Sequence, residues 1–212
     1  LTLDTSEELK CSFKELRHLK KSKEHRRPMM KAEIRKQILE TMKKMTEQQW
    51  KENSEKIFAN LISLPEYSSC WALMTYVSFD KEVNTIPIIN DCLAKAKTVC
   101  VPAIDWKNFS MVPVQIFNED DIDFSQKIPQ PFSDARIPVS DIELMIVPGL
   151  AFDKQCNRLG RGKGFYDRFL AKCNAVKIGL AFDFQVLEQI PAGDNDVPMD
   201  IIITETRVIR NK

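Results

Sequence analysis

The sequence predicts an α/β protein: a single three-layer domain with a mainly parallel central sheet flanked by helices. Short apolar runs typical of buried strands recur along the chain, and segments with helical periodicity alternate with them. Strands that alternate with helices pair in parallel, because each crossover returns the chain to the same end of the sheet. The 212 residues are enough for one domain with a full core.

Residues 29–64 carry the first helical pattern. An apolar residue recurs every four positions and gives one apolar stripe, formed by Met30, Ile34, Ile38 and Met42. A second helix is expected to restart at Thr46, which can cap the helix while Gln49 reaches back in a capping box. This helix should end at Pro65, since proline cannot continue it.

Strands and helices then alternate towards the C-terminus. Runs of apolar residues predict strands, and periodic segments predict helices. The expected strands cover residues 71–77, 98–104, 111–116, 144–147, 176–182 and 199–204, and the expected helices cover residues 85–96 and 164–173. The acidic segment 118–123 and the proline-rich segment 129–138 are expected to be surface connections.

Charge is distributed unevenly along the chain. Residues 1–27 hold eight Lys and Arg against five Asp and Glu, whereas the rest holds 23 against 25. We therefore divide the chain into a charged N-terminal extension, residues 1–28, and an α/β domain, residues 29–212. A mitochondrial presequence is usually poor in acids, so the five acids favour a solvated or partly helical extension. The near-neutral body argues against a general polyanion-binding surface.

Composition argues against several classes of function. Both histidines, His18 and His25, precede residue 28, which argues against Ser-His-Asp, Cys-His and HExxH chemistry in the domain. The six cysteines show no CxxC spacing and predict reduced thiols in the cytoplasm, with the mitochondrial matrix as the alternative. The longest apolar stretch, residues 144–152, is far shorter than the ~20 residues of a membrane helix.

Four of the six glycines fall within residues 149–164, between an expected strand and an expected helix. Ligands of α/β proteins bind at the carboxyl ends of strands. Alternating Gly160, Gly162 and Gly164 let backbone N–H groups converge, and the following helix adds a partial positive charge. Four cations accompany them, namely Lys154, Arg158, Arg161 and Lys163. This predicts an anion site, the alternative being a glycine-rich turn with incidental charge.

The glycine-rich segment resembles the signature of the 5-formyltetrahydrofolate cyclo-ligases, also called methenyltetrahydrofolate synthetases. Residues 148–167 read Pro-Gly-x-x-Phe-Asp-x-x-x-x-Arg-Leu-Gly-Arg-Gly-Lys-Gly-Phe-Tyr-Asp. Two further segments agree in order and spacing: Lys31-x-x-x-Arg35 in the first helix, and residues 76–85 at the end of the first expected strand. The similarity covers residues 29–205, so the resemblance makes residues 29–212 a cyclo-ligase domain.

The resemblance implies an ATP-dependent ring closure, in which 5-formyltetrahydrofolate and MgATP give 5,10-methenyltetrahydrofolate, ADP and phosphate. The formyl oxygen would take the γ-phosphoryl group, N10 would attack the activated carbon, and phosphate would leave. ATP and Mg²⁺ are the implied cofactors. The implied partner is a small-molecule folate, with no nucleic acid and no membrane, and the chain is expected to be a monomer. Such a reaction needs positioning and charge stabilisation rather than a histidine.

The resemblance also assigns site residues. The catalytic residues would be Arg158, Arg161 and Lys163. The nucleotide would be bound by Lys31, Arg35, Arg158, Leu159, Gly160, Arg161, Gly162, Lys163, Gly164, Phe165 and Tyr166. The folate would be bound by Val77, Glu82, Arg161, Gly162, Lys163, Gly164 and Phe165. The metal would be held by Asp167 and Asp200, with Asp153, Asp194 and Asp196 as rival ligands.

Simpler interpretations stay open for individual residues. Lys31 and Arg35 share one helix face and could form a solvated basic surface. Without the resemblance, Glu82 is a surface residue at a strand–helix junction, Val77 is core, and Asp167 is a helix-start charge. Cys156, beside the glycine-rich segment, is interpreted as a bystander thiol.

Two other functions also stay open. One is a non-catalytic RNA-binding module that uses the basic and aromatic segment 158–168, although such a surface should extend as a basic stripe. The other is a sugar-phosphate isomerase or kinase on a related scaffold, with Asp153 as a base. For the cyclo-ligase, alanine at Arg158 or Lys163 is expected to reduce turnover strongly and leave the fold intact.

Overall fold

The computed structural model describes residues 30–211, so the predicted N-terminal extension, residues 1–28, lies outside the described residues. The α-helices are α1 Lys31–Lys44, α2 Glu47–Ile62, α3 Pro65–Ser69, α4 Ile86–Ala94 and α5 Phe165–Leu170. The strands are β1 Ala72–Thr75, β2 Thr98–Asp105, β3 Ser110–Ile116, β4 Ile122–Asp123, β5 Gln130–Pro131, β6 Leu144–Val147, β7 Ala151–Asp153, β8 Arg158–Leu159, β9 Val176–Leu180, β10 Val186–Leu187, β11 Ile201–Ile203 and β12 Val208–Arg210. Within this described range, no helix has the length and apolar character needed to cross a membrane.

A seven-stranded sheet forms the centre of the domain, in the order β12-β11-β9-β6-β1-β2-β3. Its five inner strands pair in parallel, and the edge strands β3 and β12 pair antiparallel to their neighbours. The mainly parallel sheet flanked by helices confirms the predicted α/β class. The antiparallel edges follow from short connections, because only antiparallel neighbours can be joined by a tight turn.

Different elements cover the two faces of this sheet. Leu73 and Leu144 lie in a core with side chains of α2, α3 and α4. Their chain neighbours Met74 and Met145 lie in a second core with side chains of α5. Successive strand residues point to opposite faces, so strands covered on both sides are apolar throughout. This explains why the strands appear in the sequence as continuous apolar runs.

The glycine-rich segment contains two short strands that the sequence did not predict. β7 and β8 form an antiparallel hairpin, and β10 adds to β7 in parallel. Ile34 and Ile38 from the predicted stripe of α1 pack in one cluster with Leu150 and Leu159 of this segment. The hairpin therefore holds α1 beside the carboxyl end of the central sheet, where ligands are expected.

The predicted start of α2 is confirmed, and the ends of two helices differ from the predictions. The capping box at Thr46 is present, with the Gln49 N–H donating to Thr46 Oγ1 over 3.1 Å. Helix α2 already ends at Ile62, and Pro65 instead begins the short helix α3, because the first helical position needs no N–H. Helix α5 ends at Leu170 instead of residue 173, since the chain must turn before β9 begins at Val176.

Candidate active site

A cavity lies at the carboxyl ends of β1 and β6, and its lining includes Tyr76, just after β1, and Pro148, just after β6. Its other walls come from α1, from the β2–β3 hairpin and from the segment that joins β8 to α5. Every predicted site residue except Asp200 lines this cavity, namely Lys31, Arg35, Val77, Glu82, Arg158, Leu159, Gly160, Arg161, Gly162, Lys163, Gly164, Phe165, Tyr166 and Asp167.

The glycine loop, residues 160–164, forms the floor between α1 and α5. Gly162 has φ +96° and Gly164 has φ +70°, a backbone region that L side chains rarely adopt. The Arg35 Nε–H donates to the carbonyl oxygen of Gly160 over 2.9 Å. The loop is thus shaped by its own glycines and tied to α1 by an arginine.

Replacing Gly162 with alanine is expected to destabilise the protein by about 1–2 kcal/mol, because a Cβ is strained at positive φ. The new methyl group would also lie 3.3 Å from Arg35 Cζ, so the contact between the loop and α1 should weaken as well. Urea unfolding measures the loss of stability. Gly193→Ala is the matched control, since its Cβ would meet nothing closer than 3.6 Å. Equal stability of the two variants would contradict the argument.

Arg158 is buried and holds three parts of the site together. Only 5% of the residue is exposed. Its Nη2 donates to Asp167 Oδ1 over 2.5 Å, and its Nη1 donates to the Pro148 carbonyl oxygen over 3.2 Å. Its guanidinium carbon lies 5.6 Å from the ring centroid of Tyr166. Arg158 therefore links the end of β6, strand β8 and the start of α5.

The cavity carries more positive than negative groups. Lys31 Nζ pairs with Asp196 Oδ2 at 2.5 Å, and Arg161 Nη2 pairs with Glu82 Oε1 at 2.9 Å. Within residues 30–211, no carboxylate pairs with Arg35 or Lys163, although both line the cavity. These two cations leave a net positive charge, which favours an anionic ligand.

Glu82 is buried at the end of the segment that follows β1. The indole Nε1–H of Trp50 donates to its carbonyl oxygen over 2.7 Å, which fixes this segment against α2. Burial raises the pKa of the Glu82 carboxyl group, and the charge and hydrogen bonds of Arg161 oppose that rise. The Arg161 guanidinium in turn lies 4.4 Å from the ring centroid of Phe79. Glu82 is thus a functional-site candidate rather than a solvated surface residue.

Asp200 does not join Asp167 in the cavity, contrary to the expected metal pair. Asp200 directly precedes β11, so it lies at the amino end of a parallel strand, whereas the cavity lies at the carboxyl ends. Its Oδ2 accepts a hydrogen bond from the Lys177 N–H over 2.7 Å. Of the rivals, Asp196 lines the cavity together with Asp167. Asp194 instead lines an adjoining depression that also includes these two carboxylates.

Asp153 shapes the glycine-rich segment and is not available as a base. It is fully buried, and its carboxylate accepts hydrogen bonds from the N–H groups of Gln155, Asn157 and Ile190. Burial chiefly, with the nearby Asp153 charge, raises the pKa of the Cys156 thiol to about 11. A protonated buried thiol is a poor nucleophile, in agreement with the bystander interpretation.

The main part of the site that the sequence analysis missed is the β2–β3 hairpin. Ile104, Trp106 and Met111 of this hairpin line the cavity. The Trp106 ring lies 5.2 Å from that of Phe165, centroid to centroid, in an edge-to-face arrangement. A signal was present in the sequence, because Trp106 stands between Asp105 and Lys107-Asn108, a polar segment in which core packing gives no reason for an indole.

Comparisons with known proteins identify the relatives of this chain. A model of the 5-formyltetrahydrofolate cyclo-ligase family matches residues 27–205. A probable 5-formyltetrahydrofolate cyclo-ligase of Schizosaccharomyces pombe is 31% identical over 177 residues, which are 74% of this chain and 86% of the relative. A mitochondrial 5-formyltetrahydrofolate cyclo-ligase of Arabidopsis thaliana is 29% identical over 205 residues, 83% of this chain and 74% of the relative.

Among solved structures, the 5,10-methenyltetrahydrofolate synthetase of Aquifex aeolicus has 32% sequence identity and a TM-score of 0.77, and the match covers 86% of this chain and 93% of that one. The match to the family spans the whole cavity, from Lys31 in α1 to Asp196. The chain belongs to the 5-formyltetrahydrofolate cyclo-ligase family, whose members are ATP-dependent ligases.

Proposed function

We propose that this chain converts 5-formyltetrahydrofolate to 5,10-methenyltetrahydrofolate and couples the ring closure to hydrolysis of ATP to ADP and phosphate. One observation carries the proposal: a single cavity combines a glycine loop, and cations that pair with no carboxylate among residues 30–211, with an apolar, aromatic wall. The first part suits phosphate oxygens, and the second suits the flat rings of a folate. Both reactants must meet in one place for a phosphoryl group to pass between them.

Phosphoryl transfer needs charge at the transferring group and no protein nucleophile. Lys163 and Arg35 are the cavity cations that pair with no carboxylate in the described part of the chain, and we assign them to the phosphates of ATP. The formyl oxygen attacks the γ-phosphorus, the bond to the β-phosphate oxygen breaks, and ADP leaves. N10 then attacks the activated formyl carbon and gives up its proton, and phosphate leaves with that proton and the former formyl oxygen.

The folate half of the cavity joins one buried acid to an apolar wall. The Glu82 carboxylate faces the Arg161 guanidinium, and it can accept hydrogen bonds from the N–H groups of a pterin ring. Val77, Phe165 and Trp106 supply apolar surface for the rings. Because Arg161 contacts Glu82 and belongs to the glycine loop, it lies between the two reactants in this arrangement.

Mg²⁺ fits the oxygen ligands of this cavity. Asp167 and Asp196 both line it, and Mg²⁺ commonly takes one or two carboxylates together with phosphate oxygens and waters. No cluster of three or more His, Cys, Asp or Glu that could hold a metal occurs in the described range, in keeping with a metal that depends on the nucleotide. We assign Asp167 and Asp196 as its protein ligands, and the ion would neutralise charge on the phosphates.

The competing functions have less support. An RNA surface should extend as a basic stripe, whereas three of the cavity cations pair with carboxylates. The kinase hypothesis needed Asp153 as a base, and its carboxylate is enclosed by backbone N–H groups.

The five cysteines that the structure describes are free and buried, so we infer a reducing compartment, the cytoplasm or the mitochondrial matrix.

A direct assay tests the proposal. The full chain is mixed with MgATP and 5-formyltetrahydrofolate, and the near-ultraviolet absorbance of the methenyl product is followed while ADP is measured separately. We expect one ADP for each methenyl product, and no product when ATP is omitted. Folded protein that forms neither product nor ADP would overturn the proposed function.

A further inference from the structure

Arg168 connects two walls of the cavity that are far apart in the sequence. Its Nε and Nη2 donate to the Phe109 carbonyl oxygen over 3.0 and 2.8 Å. Its Nη2 also donates to the Lys163 carbonyl oxygen over 2.9 Å. Phe109 lies at the tip of the β2–β3 hairpin, and Lys163 lies in the glycine loop. One guanidinium therefore joins the hairpin tip to the loop.

The same guanidinium is exposed to solvent on one side and contacts this junction on the other. Its carbon lies 5.8 Å from the ring centroid of Phe165. A Cβ added at Gly164 would come within 2.8 Å of its Nη1, so the absence of a side chain there lets Arg168 pass. Within residues 30–211, no carboxylate pairs with Arg168. Its N–H groups therefore donate to backbone carbonyl oxygens, and the planar guanidinium can reach two such oxygens at once.

The hairpin tip needs such support. Phe109 has φ +49°, which is unusual for a residue with a bulky side chain. Trp106 and Phe109 are each about half exposed, so the domain core does little to hold them. Both rings contact Phe165, with centroids at 5.2 and 5.9 Å. Holding the Phe109 carbonyl thus also holds the Trp106 ring where it lines the cavity.

We propose that Arg168 is a positioning residue that clamps the β2–β3 hairpin tip to the glycine loop, so that Trp106 and Phe165 form the wall on which the rings of the substrate pack. This inference rests on the proposed function. Arg168 itself does not line the cavity among the described residues, so its effect on the substrate passes through Trp106.

Steady-state kinetics provide the first test. Arg168→Ala should raise KM for 5-formyltetrahydrofolate roughly tenfold, since two hydrogen bonds that order the wall are lost. Its kcat and its KM for ATP should change much less. Trp106→Ala should raise the folate KM by a similar factor. The double variant should then remain near tenfold, because once the ring is absent the clamp has nothing to position.

Control variants keep this test interpretable. Arg210→Ala removes an exposed arginine that pairs with Glu66 at the far edge of the sheet and should leave the kinetics unchanged. Arg168→Lys keeps the charge but loses the paired N–H donors of the guanidinium. If the alanine variant does not fold, the same rise in the folate KM is measured with this variant. A roughly hundredfold, additive rise in the double variant, or an equal rise in KM for ATP, would overturn the positioning role.

Tryptic cleavage provides a second test that needs no turnover. Lys107 lies in the hairpin tip that Arg168 clamps, so Arg168→Ala should speed cleavage after Lys107 roughly tenfold, as mass spectrometry can record. An unchanged rate would contradict the clamp even if the enzyme is active. An inactive wild-type chain whose Arg168→Ala variant is cleaved faster at Lys107 would instead contradict the proposed function and leave the clamp supported.

Discussion

Replacing Lys163 with alanine is expected to lower kcat/KM by roughly 10²–10³, because in the proposed function this cation lies at the transferring phosphoryl group and stabilises charge that develops in the transition state. Lys163 is exposed and lines the cavity. Since no carboxylate among the described residues pairs with it, its loss leaves no buried charge unpaired. Thermal unfolding should therefore be unchanged within error, while turnover of 5-formyltetrahydrofolate falls.

Two companion variants define the origin of that loss. Lys172→Ala removes an exposed lysine just beyond α5 and should keep full activity. Lys163→Arg keeps the charge and should recover part of the rate. Wild-type activity in Lys163→Ala would contradict the proposed catalytic role of Lys163.

Replacing Arg158 with alanine is expected to destabilise the protein by roughly 3 kcal/mol, because it removes a buried side chain and leaves its partly buried partner charge uncompensated. This corrects the expectation that alanine at Arg158 would leave the fold intact. The side chain of Arg158 is 3% exposed and that of its partner Asp167 is 26% exposed. Activity should also fall, since Asp167 and the end of β6 lose their common anchor.

Urea unfolding measures this loss, with Arg207→Ala as the control. Arg207 pairs with Asp183 at 3.3 Å, but 43% of its side chain is exposed. Exposed pairs contribute about 0–1 kcal/mol, so the control should unfold almost as the wild type does. Equal effects of the two substitutions would show that the burial of Arg158 does not decide its contribution.

The sequence by itself predicted the elements whose signals are local. The strand at residues 144–147 and the capping box at Thr46 were both found as expected. Apolar runs and capping residues act on near neighbours in the chain, so their pattern can be recognised without a fold. Strands β7 and β8 were missed because two or three residues are too few to show alternation.

Parts of the candidate site could likewise be predicted from local sequence patterns, and other parts could not. The spacing of the glycines and cations between a strand and a helix indicated an anion site, and the longer motif identified the folate family. Tertiary structure alone decided the partners of those cations. Arg161 pairs with Glu82 across 79 positions, and Lys31 pairs with Asp196 across 165. Such contacts depend on which strands are neighbours in the sheet, and a local pattern does not contain that order.

Asp196 lines the cavity whereas Asp200 does not, and Trp106 lines it although the sequence did not predict this. Both findings have the same physical origin. Asp196 and Asp200 are four residues apart, and composition does not distinguish them. Only the parallel direction of β11 assigns Asp200 to the end of the sheet away from the cavity. Trp106 reaches the site because the β2–β3 hairpin folds over Phe165 and is held there by Arg168. The sequence therefore determined the chemistry of the loop, and the packing of distant segments decided which side chains surround it.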